Sequence, residues 1–146
     1  MSAKDLLFSA KGRIGRKDFW IVSLLLGLAS IPVRLLGVFG DLLVLIFLFP
    51  HVCLFAKRCH DLGKSGWLAA WLYVPPGLFG LAVGLFGNPD GEPPLAVAAV
   101  GAVVVIGAVV FYFRIGLAKG DPAPNAYGRS QLPGPRRGAK AAEGAG

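Results

Sequence analysis

The sequence predicts an all-α membrane protein: four transmembrane helices, a short N-terminal interfacial segment and a disordered C-terminal tail. Three observations carry that expectation. Hydrophobic residues make up 55% of the 146 and charged residues only 16%, against roughly 25% charged in ordinary soluble domains. Mean hydropathy is +0.64, and the apolar residues come in blocks instead of at helical or strand period, which is the pattern of membrane spans. The cations, finally, sort to one side of those blocks.

Taken in order, Leu6-Leu7-Phe8 can dip a short segment into the membrane interface. The first span is expected at about 19–36 and the second at about 39–56, joined by a hairpin near Gly37 to Asp41. The third covers about 67–86 and the fourth about 95–113. These four form a membrane domain over residues 1–128, and residues 129–146 read as a disordered basic tail. The apolar run begins only at Phe19 and no small-residue cleavage site follows it before Arg34, so the first span is expected to stay as an anchor.

Topology follows from the cations. Of 15 Lys and Arg, five precede the first span, three lie in the central loop and six follow the fourth span, leaving only Arg34 on the other side with Asp41, Asp90 and Glu92. Lys/Arg bias in short loops sets orientation, which predicts a multi-pass inner-membrane protein with both termini cytoplasmic. The formal net charge of +7 then faces anionic headgroups and requires no nucleic acid. The expected partners are membrane lipids, with a homo-oligomer as a further option.

Within the spans, Trp20, Trp67 and Trp71 fall at ends, as in an interfacial aromatic belt. Gly77, Gly80, Gly84 and Gly87 share one helical face, and Ala98, Gly101, Val105, Ala108 and Tyr112 share another. These stripes predict close packing of the third helix on the fourth, the alternative being a homodimer through the glycine face. Pro50 and Pro75-Pro76 interrupt the second and third spans. His51, beside Pro50, is an intramembrane ionisable candidate; its structural reading is a neutral imidazole donating to the carbonyl that Pro50 frees.

Chemistry concentrates in Ala56-Lys57-Arg58-Cys59-His60-Asp61-Leu62-Gly63-Lys64-Ser65-Gly66-Trp67. Gly63 can end the second helix and Ser65 can cap the third. Asp61 among so many cations should pair with an arginine. The candidate site is a cytoplasmic polar cluster of Arg13, Arg16, Asp18, Arg58, His60, Asp61, Lys64, Asn125 and Tyr127. It is either a latch holding the N-terminal segment on the loop, or a cationic pocket for a phosphate or carboxylate; catalysis through His60 and Asp61 is a third reading. Gly63-Lys64-Ser65 is not the end of a phosphate-binding loop, because Arg58 stands where that motif needs glycine. Cys53, Cys59, His51 and His60 lack paired metal-ligand spacing, so no metal site or cofactor is expected.

Three motifs together resemble the YhaH-type bacterial inner-membrane family, the domain of unknown function 805. They are Gly12-Arg13-Ile14-Gly15-Arg16-Lys17-Asp18-Phe19-Trp20, the run Lys57 to Trp67, and Asn125-Ala126-Tyr127-Gly128, covering the chain from about Leu7 to Gly128. The resemblance implies a small multi-pass protein of the bacterial cytoplasmic membrane and implies no reaction. Gly15 stands where that family commonly has serine, Cys59 where it has leucine, and Ala126 where it has arginine, a cation that Arg129 is positioned to replace. The functional expectation is a non-enzymatic scaffold, assembly or anionic-lipid-interacting protein. The alternatives are a small oligomeric transporter or channel subunit using His51, or a lipid-headgroup enzyme.

Overall fold

The computed structural model describes residues 3–88, 91 and 93–131, the side chains at 3, 34, 38, 41, 42 and 44 excepted. Among these the chain forms five helices and no strand: α1 (Ala3–Phe8), α2 (Arg16–Arg34), α3 (Val38–Asp61), α4 (Leu68–Phe86) and α5 (Leu95–Leu117). The residues from Leu132 onward, most of the segment where the sequence predicts a disordered tail, lie outside the described ones.

α4 and α5 are long and apolar enough throughout to cross a membrane. Their 19 and 23 residues extend about 28 and 35 Å, against a hydrocarbon core of about 30 Å. α2 and α3, with 19 and 24 residues, have the length. Arg16, Lys17 and Asp18 open α2, and Lys57, Arg58 and Asp61 close α3 after a run from Leu45 to Ala56 that is apolar but for His51. Each helix continues through its prolines: Pro32 in α2, Pro50 in α3, Pro75 and Pro76 in α4. The turn between α2 and α3 is tighter than expected and closes at Gly37, whose φ is +63°.

The helices alternate in direction, so the starts of α2 and α4 meet the ends of α3 and α5. The core sits at that one end. Phe19 from α2, Leu54, Phe55 and Cys59 from α3, Ala69 and Leu72 from α4, and Ile115 from α5 are buried together with Ile14. Toward the other end large apolar side chains face outward, among them Leu35, Phe39, Phe86 and Leu95. α2 packs along α3, α4 along α5, and α1 lies on α3, where Phe8 stacks on Phe49 at 6.4 Å.

Aromatic rings fill the centre of the core. Phe19 meets Trp20 and Tyr112 at 5.5 Å each, and Tyr112 stacks on Phe55 at 5.9 Å. Trp20 therefore belongs to the core, while Trp67 and Trp71 point outward as belt residues do. α5 can lie against these rings because residue 116 is glycine: a Cβ there would come within 2.7 Å of Trp20 and 2.9 Å of Phe19.

The glycine stripe of α4 does not serve the α4–α5 contact that the sequence predicts. Gly77, Gly80 and Gly84 have nothing within 4 Å of where a Cβ would stand. The close approach is made by Gly101 of α5, which accommodates the ring of Phe79. A large aromatic fitted over a single glycine brings two helices together as well as two facing small-residue stripes do, and it leaves the α4 stripe turned outward. Gly116→Val is expected to lower stability by about 1–3 kcal/mol, read as a fall in Tm by tryptophan fluorescence in mild detergent. Gly80→Val, with open space around it, is expected to leave Tm unchanged.

Candidate functional site

The end of α3 carries the charges, and the local sequence fixes how it ends. Gly63 takes φ +68° just past the helix. The Gly63 amide donates to the His60 carbonyl at 3.0 Å and the Lys64 amide to the Cys59 carbonyl at 2.9 Å, the paired bonds of a Schellman stop. The expected glycine stop is therefore observed. Ser65 contributes less than a full cap: its hydroxyl accepts from the Trp67 amide at 3.3 Å, and α4 starts at Leu68 with no side-chain cap.

The stop leaves Asp61 in the last turn, 2% exposed, between two arginines. Arg13 Nε donates to Asp61 Oδ1 at 3.1 Å, and Arg58 donates to Oδ2. Both guanidiniums are buried. Arg13 directs its other donors at backbone carbonyls: Ala123 at 2.8 Å, Asp121 at 2.6 Å, and Gly128 and Asp61 at 3.3 Å each. All five of its N–H groups have acceptors. Arg58 donates to the carbonyls of Ile14 at 3.3 Å and Ile115 at 3.2 Å, and to that of Ala118.

Two of the Arg58 acceptors are carbonyls that a helix end leaves over. Ile115 and Ala118 are the last-turn and capping residues of α5. Lys57, fully buried, does the same for α1, donating to the carbonyls of Leu6 at 2.9 Å and Asp5. Cations belong at helix C-termini, where the partial charge is negative. Two consecutive side chains of α3 thus cap two other helices. Burial pulls the Arg58 guanidinium below its ordinary range while the Asp61 carboxylate pushes it back up, and burial likewise lowers Lys57. The Cys59 thiol, held in the core, is pushed up to about 11 by burial and stays protonated at neutral pH. Among the described residues, no three His, Cys, Asp or Glu side chains gather as metal ligands would.

The tail closes over this cluster. The Asp121 amide donates to the Asp61 carbonyl at 2.8 Å. Asn125 Nδ2 donates to the His60 carbonyl at 3.0 Å, while its Oδ1 accepts from the Tyr127 amide at 2.9 Å. Tyr127 stacks flat on His60, centroids 3.8 Å apart and planes within 5°. His60 Nδ1 donates to the Gly12 carbonyl at 3.1 Å. Six of the nine expected residues therefore come together: Arg13, Arg58, His60, Asp61, Asn125 and Tyr127. Arg16, Asp18 and Lys64 are exposed beside them, and so are Arg129 and Ala126.

His60 and Asp61 engage different partners: the imidazole bonds to Gly12 and stacks on Tyr127, and the carboxylate pairs with Arg13 and Arg58. His51 also differs from expectation. Its Nδ1 donates to the Phe47 carbonyl at 3.0 Å, whereas Pro50 frees the carbonyl of Ile46, four residues before it. A helical side chain lies over the turn on its own face, and from residue 51 that turn offers residue 47.

Lys57 and Gly120 were not among the candidates. Lys57 adjoins Arg58 in a run of loop charge, and no sequence pattern gives its burial. Gly120 is buried against the Asp61 carboxylate, where any Cβ would collide with it; its only signal is a glycine just before the ordered turn. Gly120→Ala is expected to lift the tail from the cluster, so that trypsin cuts at the exposed Lys119 and Arg129 faster than in the wild type. Cleavage at the wild-type rate would show that the close approach is not required.

Two curated relatives align with this chain at 35% identity. They are the uncharacterized protein YiiR of Escherichia coli (strain K12) and that of Escherichia coli O157:H7, each over 104 residues that cover 59% of this chain and 71% of the relative. No solved structure matches. The relatives carry the name YiiR, so the match supports the family designation and not the YhaH label. The family model described as "Protein of unknown function (DUF805)" matches residues 7–129, from α1 through the Asn125–Gly128 turn. With all three motifs inside that match, the chain belongs to the DUF805 family.

Proposed function

We propose that this chain is a four-span protein of the bacterial inner membrane with both termini cytoplasmic, a non-enzymatic scaffold, assembly or anionic-lipid-interacting factor. The observation that carries the reading is the separation of surfaces. Polar groups collect at one end of the bundle, while the flanks expose large apolar side chains, among them Leu24, Leu28 and Ile31 on α2 and Leu45, Ile46 and Phe49 on α3. A soluble monomer rarely exposes a contiguous apolar patch beyond a few hundred Å². With α2 and α3 counted beside α4 and α5, the membrane domain runs to about residue 128, where Arg13 holds the last tail carbonyl.

The polar end has two layers of cations. Arg13, Lys57 and Arg58 are buried and spent on the protein's own backbone. Lys4, Lys11, Arg16, Lys17, Lys64, Arg114, Lys119 and Arg129 are exposed, and each surface cation adds about 1 kcal/mol of attraction to an anionic leaflet. The inner layer acts as a latch, and the outer layer meets headgroups. A scaffold role fits a cluster whose donors are already used internally.

One observation favours a second reading, a transporter or channel subunit built from several copies. His51 and Tyr73 both line two cavities, of about 340 and 380 Å³. Reporter fusions test the topology on which the first reading rests. Alkaline phosphatase, which matures only outside the cytoplasm, is expected to be active when fused in the 87–94 loop and inactive after Ser130. Equal activity at both positions would overturn the four-span arrangement.

A further inference from the structure

A groove of about 500 Å³ opens between α3 and α4 at the polar end, within the roughly 300–1,000 Å³ of small-molecule sites. It is wide because its walls are small. One face of α3 supplies Val52, Ala56 and His60, and α4 supplies Ala69, Ala70, Tyr73 and Val74. At the floor of the loop a Cβ on Gly66 would stand 2.9 Å from His60 Nε2 and 3.1 Å from Ala56. The groove is therefore apolar along the helices and polar at its mouth.

The mouth is not spent as the neighbouring cluster is. His60 is fixed by its Tyr127 stack and its Nδ1 bond to Gly12, which leaves Nε2 on the groove side. The Ser65 hydroxyl accepts from Trp67 and keeps its own proton to donate. Lys11 and Lys64, both exposed, adjoin the lining residues Ala10 and Ser65 in the chain. No acidic side chain lines the groove. Trp67 and Trp71, 83% and 73% exposed, flank the same end of α4, and outward tryptophans mark headgroup depth.

We propose that this groove holds one anionic glycerophospholipid. Its acyl chain lies between α3 and α4, and its phosphate sits at the mouth against the Ser65 hydroxyl and the two lysines. The apolar walls select a lipid over a free anion, and the two lysines beside a lining without acidic side chains select an anionic headgroup over a zwitterionic one. The proposal rests on the membrane reading above and adds a specific site to it.

The test is native mass spectrometry of the full chain from nanodiscs of equal parts phosphatidylglycerol and phosphatidylcholine. Wild type is expected to retain one phosphatidylglycerol. Ala70→Phe, which fills the groove away from the Asp61 cluster, is expected to lose it. K11Q/K64Q, altered only at exposed positions, is expected to bind it about ten- to thirty-fold more weakly, the factor two surface cations supply. Retention at the wild-type level by K11Q/K64Q, or by an Ala70→Phe variant of wild-type Tm, overturns the site. So does equal retention of the two lipids by wild type. Membrane fractionation of the same cells separates the two claims: a membrane-bound protein without the lipid ends the site alone, and a protein outside the membrane ends both.

Discussion

A carboxylate taken out of water must be matched by positive charge, and Asp61 is matched twice. Only one of the two arginines is brought to it by local structure. Arg58 is three residues back on the same helix, but Arg13 reaches across from the segment before α2, 48 residues away in the chain. Once these three groups are fixed, the rest of the polar end is determined. The donors left over on Arg13 and Arg58 point at the segment before α2, the end of α5 and the tail turn, and those segments have carbonyls that need donors. Breaking such a group by removing one member typically costs about 3–5 kcal/mol, because the partners stay buried and uncompensated.

This matters more in a membrane than it would in water. Between helices in lipid there is little hydrophobic driving force, since acyl chains are as apolar as leucine. The flanks of α2 to α5 are turned outward and hold nothing together by burial. What fixes the helices is concentrated at one end, in the Asp61 cluster and in the aromatic core that Gly116 allows α5 to approach. The same economy separates the latch from the groove beside it. His60 and Asp61 are chain neighbours, yet one faces a satisfied polar interior and the other an open apolar wall.

The sequence made the helices legible because their signals are local. Apolar blocks, the Gly63 stop and the sorting of cations each depend on a few consecutive residues. It also made the Asp61–arginine pairing legible, since an acid among cations in an apolar chain has few other places to go. What it could not give was which cations turn inward. Lys57, Arg58 and Lys64 look alike in a string of loop charge, yet two are buried and one is exposed; Lys57 and Arg58 lie in the last turns of α3 and Lys64 lies past the Gly63 stop. The glycine stripe failed for a related reason. Small residues permit close approach but do not require it, and Phe79 over Gly101 provided the contact instead. The His51 acceptor lies one residue from the carbonyl that Pro50 frees, because the direction of a helical side chain, and not the missing donor, selects the carbonyl it reaches.

The central claim is that Asp61 and Arg13 act as a coupled pair that holds the N-terminal segment and the tail on α3. A double-mutant cycle of Arg13→Met and Asp61→Asn measures it directly, with unfolding followed in mild detergent. The account predicts that the double variant is less destabilised than the sum of the two single ones, by a coupling of about 1–3 kcal/mol. Additive effects, with a coupling near zero, would contradict it.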